Sequence, residues 1–171
     1  MFDIDKLKKG DILLSYNKDN IISQEIAKAT NSVWSHAFLY IGDNQIIEST
    51  GTGGGVKAAN IDKYQMSHYQ VAALRIKSDI ASLEQIDLMI EYTKKDIGLK
   101  YGYFQIVYLW FIYKLNLIKD KFWQREVDSG KVCSELILRA GEKAGIKLFN
   151  KNPSIVAPCE FLDNNKLDRI F

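Results

Sequence analysis

Residues 129–141 read SGKVCSELILRAG. From Val132 to Ala144 the residues Cys133, Leu136, Ile137, Ala140 and Ala144 fall at i, i+3, i+4, i+7 and i+11, one face of a helix. That period predicts an amphipathic α-helix over Val132–Ala144, with Cys133 in its first turn. The first few backbone N–H groups of a helix lack intrahelical partners, and its macrodipole favours an anion there. A free thiol has a pKa of ~8.5, and a helix N-terminus with a basic partner brings it to ~3.5–7.5. The same cysteine is also a small hydrophobe on an apolar stripe, the common role of a buried cysteine. The segment alone leaves both roles open.

Upstream, VWSHAFLYIG (33–42) sets His36 at the head of an apolar strand, AFLYIG (37–42), which a Gly-Asp-Asn turn ends. QIIEST (45–50) follows directly, so the two predict a hairpin with Glu48 on its second strand. Residues on paired strands can lie side by side. An imidazole in a cleft serves as a general base, and a carboxylate beside it fixes the tautomer and stabilises the imidazolium. His36 reads equally as a hydrogen-bonded strand-end residue, and Glu48 as a surface carboxylate.

The remaining elements follow from local signals. GDILLSY (10–16) opens on a turn glycine and runs into a short strand. Asn20 caps a helix over IISQEIAKAT (21–30), with Ile22, Ile26 and Ala29 on one face. GTGGG (51–55) is a loop, and VAALRI (71–76) is a strand. Ser82 and Gln85 have capping-box spacing before a helix over Leu83–Ile97. Leu83, Ile86, Ile90 and Ile97 stripe that helix, and Gly98 stops it. Phe104–Leu117 is expected to be helical, and the tail to be a loop with one turn after Pro158. Strands come early and helices late, without βαβ alternation, which predicts an α+β domain on an antiparallel sheet.

Composition sets the outer limits. The chain has 171 residues, 47% hydrophobic and 26% charged, as expected for one globular domain over residues 1–171. Its 23 Lys+Arg and 21 Asp+Glu are interspersed, with no basic block to follow a phosphate backbone, so nucleic acid binding is disfavoured. Cys133 and Cys159 are too few for a disulfide framework or a four-thiolate zinc site, and no metal or other cofactor is expected. Cys159 reads as structural and His68, in KYQMSHYQ, as solvated. GTGGG lacks the Gly-Lys-Ser/Thr ending of a P-loop. MFDIDKLKKG carries charges throughout and no apolar core, so no signal peptide is expected and the location reads as cytoplasmic, in a bacterium or phage. The most apolar stretch, Tyr101–Ile118, is interrupted by Gly102, Gln105, Lys114 and Asn116 and falls short of the ~20 apolar residues that span a bilayer. It reads as a buried helix, or as one whose exposed face meets lipid or a partner.

Six pieces recur in one order along most of the chain: GDILL (10–14), SHAFLYIG (35–42) with His36, IIES (46–49) with Glu48, GLKYGY (98–103), VCSELI (132–137) with Cys133, and AGIKL (144–148). As a set they make the sequence resemble the permuted papain-like cysteine hydrolases of the NlpC superfamily, particularly the YiiX/YebB-like branch. The resemblance implies a permuted papain-like fold, in which the cysteine-bearing helix follows the sheet in sequence. It implies Cys133 as nucleophile, His36 as base and Glu48 as the group that orients the imidazole. It also sets Tyr101 and Tyr103 near the cleft, where with Ser134 they are candidate substrate-binding residues. Only the Cys133 backbone N–H is offered as an oxyanion donor. The expected activity is hydrolysis of an amide or peptide bond through an acyl-enzyme. Two alternatives stay open. One is a lecithin–retinol acyltransferase-like acyltransferase or lipase acting on acyl lipids, whose chain Phe104–Leu117 would suit. The other is a non-catalytic module that binds a small molecule or a partner. Peripheral membrane contact and oligomeric state are left open.

Overall fold

The computed structural model describes residues 2–51, 54–100 and 133–171. Its strands are β1 Ile12–Asn17, β2 His36–Gly42, β3 Gln45–Thr50, β4 Gly55–Asn60, β5 Tyr69–Ile76 and β6 Leu167–Arg169. They form one sheet in the order β4-β3-β2-β1-β5-β6, antiparallel at every joint. Among the described residues the α-helices are α1 Ile21–Ala29, α2 Leu83–Lys95 and α3 Cys133–Lys143. This is the expected α+β arrangement, with the cysteine-bearing helix after most of the sheet. The helix expected over Phe104–Leu117, and with it Tyr101 and Tyr103, lies outside the described residues.

The β2–β3 hairpin turns at Asp43 and Asn44, whose φ values of 51° and 58° are those a two-residue type I′ turn requires. Its register sets Phe38 opposite Glu48 and Leu39 opposite Ile47. Alternation along the strands then divides the side chains between two cores. Ile12, Leu14, Ala37 and Leu39 meet Met89 and Ile90 of α2 and Ile137 and Ala140 of α3. Leu13, Phe38, Tyr40 and Ile46 face the other way, against Ile61 and Tyr64 of the 3-10 turn Ile61–Gln65. Truncating one such fully buried Leu or Ile to Ala costs about 2–5 kcal/mol, so both faces are held by packing.

A count of apolar residues picks out the docking face of α3, only part of that of α2, and not that of α1. In α1 the buried residues are Ser23 and Ala27, while Ile21 and Ile22 are exposed. Polar anchoring explains this. Ser23 Oγ accepts the Asn17 N–H at 3.0 Å and meets the Ser35 hydroxyl, so the small residues turn inward and the isoleucines outward. The Asn20 side chain caps the helix by accepting the Ser23 N–H at 3.0 Å, worth about 1 kcal/mol. In α2 the Ser82–Gln85 capping box forms as expected; of the predicted stripe Ile90 is buried and Ile86 packs on the core, whereas Leu83 is exposed, as is Ile97 beyond the helix end at Lys95, and Met89 and Thr93 are buried instead. Thr93 enters the interior because its hydroxyl donates to the Met89 carbonyl at 2.8 Å. The α3 stripe is buried as predicted, from Cys133 through Leu136, Ile137 and Ala140 to Ala144.

Two strands extend the sheet beyond those expected. β4 begins at Gly55, where a φ of +118° and a Leu99 carbonyl oxygen 2.0 Å from any added Cβ leave room only for glycine. Val56 then exchanges backbone bonds with the chain after α2, donating to Leu99 O and accepting from Gly98 N, each at 2.9 Å. β6 pairs Leu167 with Ile76 at the far edge, so the tail is more ordered than a loop with one turn. Two 3-10 turns, Pro153–Ile155 and Pro158–Phe161, precede it. Among the described residues no helix is long and apolar enough to cross a membrane.

Candidate active site

Glu48 lies within β3, opposite Phe38 on β2 and Lys57 on β4, and its side chain is 0% exposed. A buried carboxylate keeps its charge only where donors and counter-charges replace water. Oε2 accepts the Tyr64 hydroxyl at 2.7 Å and faces His36 Nε2 at 3.4 Å. Oε1 accepts from the Lys63 ammonium, and Lys57 Nζ stands 3.8 Å away. Burial works against the charge, but His36, Lys63 and Tyr64 outweigh it and hold the carboxyl at about 2. Burial and then the Glu48 charge push the Tyr64 hydroxyl well above its ordinary range, so it remains a donor.

His36 opens β2, paired with Ser15 of β1. Its side chain is 18% exposed, and its ring stacks on Phe38 with centroids 5.6 Å apart. α3 packs across β2 and β3, with Leu136 against Ile47 and Val56, and this brings the N-terminal turn of α3 to the head of β2. There the Cys133 thiol meets the His36 ring and the backbone N–H of Ala37. The β2–β3 ladder begins one residue later, at Phe38. Burial pushes the thiol up, but the imidazole and the Ala37 N–H outweigh it and hold the thiol below its usual value. The unpaired N–H groups of the helix turn favour the same anion. Burial also opposes the charge on His36, yet Cys133 and then Glu48 hold the imidazole up to about 9. The arrangement therefore favours a thiolate–imidazolium pair, with a second anion on the far side of the ring.

Cys133, His36 and Glu48 thus meet at one end of the sheet. Ser134 is buried next to Cys133 in the chain, and its hydroxyl has no hydrogen-bond partner among the described residues. Cys159 is elsewhere: burial, then the Glu160 charge, push its thiol upward. His68 is half-buried and packs its ring on Tyr69. Sequence reasoning missed Lys57, Lys63 and Tyr64, and the Ala37 N–H. Lys63 and Tyr64 lie where the chain reads as a polar loop, and no periodicity marks them. The one available signal was chemical, since a buried Glu48 needs donors.

The sequence profile of a family described as permuted papain-like amidase enzymes, YaeF/YiiX, C92, matches residues 6–171. Among solved structures, the chain is similar to the crystal structure of the metalloprotein YiiX from Escherichia coli O157:H7. The two share 18% identity, with 97% of each chain covered and a TM-score of 0.68. At that identity the likeness bears on the fold alone, and the fold agrees: a permuted papain-like sheet with its helices. No curated protein matches the chain. With the family profile spanning residues 6–171, the chain belongs to the permuted papain-like amidases of the YaeF/YiiX family and is a cysteine hydrolase.

Proposed function

We propose that the protein hydrolyses an amide or peptide bond through an acyl-enzyme on Cys133, with His36 as proton carrier and Glu48 as the group that holds the imidazole. The supporting observation is a single ring that interacts with the Cys133 thiol and, through Nε2, with Glu48. With Nε2 turned to the carboxylate, Nδ1 is the nitrogen that handles the proton.

In this reading the thiolate adds to the substrate carbonyl carbon. A C–S bond forms and the carbonyl π pair moves to oxygen. The developing oxyanion takes the backbone N–H of Cys133 and the field of the helix N-terminus. As the tetrahedral intermediate collapses, the C–N bond breaks and the leaving nitrogen takes the His36 proton. His36, now neutral, removes a proton from water. The hydroxide adds to the thioester, the C–S bond breaks, and the acid departs with the thiolate–imidazolium pair restored. Glu48 keeps the ring oriented and its cationic form stable throughout.

YiiX is described as a metalloprotein, but the donor set beside Cys133 does not suit a cation. Lys63 holds Oε1 of Glu48 with Lys57 close by, and Tyr64 and His36 share Oε2, so a metal ion would meet two ammonium groups and a spoken-for carboxylate. Among the described residues no three His, Cys, Asp or Glu side chains cluster as metal ligands.

The test is acyl-enzyme trapping. The protein is incubated with peptidoglycan-type peptides and, separately, with phospholipids, quenched in acid and read by mass spectrometry. An acyl mass on Cys133 with the peptides, and its loss in Cys133→Ala, is the expected result. Transfer of a lipid acyl group to Cys133 with no peptide adduct would overturn the amidase assignment. No adduct on Cys133 with any substrate, together with unchanged hydrolysis by Cys133→Ala, would remove the nucleophile.

A further inference from the structure

We infer that Tyr64, backed by Lys63, is a positioning residue for the proposed reaction: its hydroxyl fixes Glu48 against His36 and so sets how much of Cys133 is thiolate. The inference rests on the roles of Cys133, His36 and Glu48 proposed above and extends them to a second layer of side chains.

Three observations carry it. First, Glu48 has no water to fall back on, since its side chain is 0% exposed. Its contact with His36 is long, at 3.4 Å, while the Tyr64 bond to the same oxygen is 2.7 Å. Without the Tyr64 bond, Oε2 would keep only the long contact, and a buried carboxylate that loses a donor is more readily protonated. A neutral Glu48 offers the imidazolium no counter-charge. Second, the carboxylate is held at both ends. Tyr64 takes Oε2 and Lys63 takes Oε1, which arrests rotation about the last side-chain bond.

Third, the two donors stand on a fixed platform. They are consecutive residues of the 3-10 turn Ile61–Gln65, which the Asn60 side chain caps by accepting the Asp62 N–H at 2.7 Å. Ile61 N donates to Asn44 O at 2.9 Å, so the turn is tied to the β2–β3 hairpin that carries both His36 and Glu48. The Tyr64 ring stacks on Phe38 at 4.2 Å and meets Tyr69 edge-on at 4.8 Å, and Phe38 stacks on His36. Packing, not solvent, therefore sets where the hydroxyl points. The charged and titratable groups around Glu48 are His36 from β2, Lys57 from β4, and Lys63 and Tyr64 from the turn. Lys57, at 3.8 Å, adds charge without a close bond.

The test uses the full chain and needs no substrate. Cys133 alkylation by chloroacetamide is followed by mass spectrometry from pH 4 to pH 10, with Cys159 as an internal control. Tyr64→Phe keeps the stacked ring and removes only the hydroxyl. We expect it to slow Cys133 labelling at pH 6 about tenfold, the value of one hydrogen bond to a charged group at the low end of its range. The inflection of the profile should move to higher pH, with Cys159 unchanged. In a Glu48→Gln background the same substitution should change the rate by less than about twofold, because its effect runs through the carboxylate. Lys63→Gln should give the same pattern, and it carries the test if Tyr64→Phe does not fold. If Tyr64→Phe labels as fast as wild type or faster, or slows labelling equally with and without Glu48, the inference is wrong. Slow and equal labelling of both cysteines in the wild type would instead remove the roles on which it rests. Fast wild-type labelling that Glu48→Gln slows and Tyr64→Phe does not would remove this inference alone.

Discussion

Glu48→Gln replaces the buried carboxylate with an uncharged group of the same shape, and its effect on stability has a sign and a size that the structure sets. In the folded chain the carboxyl is held at about 2, against 4.5 in its ordinary state. At ~1.36 kcal/mol per pKa unit, that difference amounts to roughly 3 kcal/mol. The side chain is fully buried, so solvent screening removes little of it. A depressed carboxyl stabilises the fold above its unfolded pKa and loses that contribution as pH falls through its folded pKa. The Glu48 contribution is therefore complete above about 4.5 and fades towards about 2.

The high-pH side follows from His36, which is held up at about 9 against an ordinary 6.5. A raised imidazole contributes fully below 6.5 and loses its contribution as pH rises through about 9. Part of that contribution is the His36–Glu48 attraction counted from the other partner, so the two are not added. The difference in unfolding free energy between wild type and Glu48→Gln should thus be a plateau. It should stand at roughly 3 kcal/mol near pH 6, decline on the acid side between about 4.5 and 2, and decline partly on the alkaline side between about 6.5 and 9. The Tyr64 hydroxyl remains a donor at high pH, so that second decline is smaller. Urea unfolding at half-unit pH steps for both proteins measures the curve. A difference that is flat with pH, or that grows as pH falls below 4.5, would refute the assignment of Glu48 as a buried, bonded anion.

Three further outcomes follow. At pH 6, iodoacetamide should alkylate Cys133 well before Cys159, since His36 holds the first thiol down while burial and Glu160 push the second up; His36→Ala should abolish the preference by slowing Cys133 alone, as peptide mapping would show. Amide hydrolysis should rise with pH through the depressed thiol and fall as pH passes about 9, where His36 loses the proton it gives to the leaving group; an alkaline limb near 7 in kcat/KM would contradict the coupling of His36 to its two anions. Gly55→Ala should lower the melting temperature, by a destabilisation of about 1–3 kcal/mol or more, because its Cβ would fall on the Leu99 carbonyl at a left-handed φ; an unchanged melt would mean that the β4 edge yields without strain.

What the sequence discloses here divides along the range of the force involved. The β2–β3 hairpin, the Ser82–Gln85 capping box and the α3 stripe depend on residues within one or two turns of each other, and all three stand where the pattern puts them. The docking faces of α1 and α2 depend on what lies across from them. Counting apolar residues selects Ile22, whereas a hydroxyl on Ser23 that answers Asn17 and Ser35 decides the matter. β6 has three residues, too few to carry a period, and exists because the edge of β5 accepts it. The site divides in the same way. Register along a hairpin is a local property, so His36 and Glu48 can be paired on paper. The burial of Glu48 is not local: it follows from the turn Ile61–Gln65 closing over that face. Once a carboxylate is paired with an imidazole and assigned to a buried strand, however, physics makes a further demand. It must find donors for its four lone pairs, and the segments free to cover that face are few. In this chain one such segment, IDKYQ, carries an ammonium and a phenol side by side. The requirement for donors, applied to the polar turns rather than to the apolar stripes, points to Lys63 and Tyr64 once the burial of Glu48 is given.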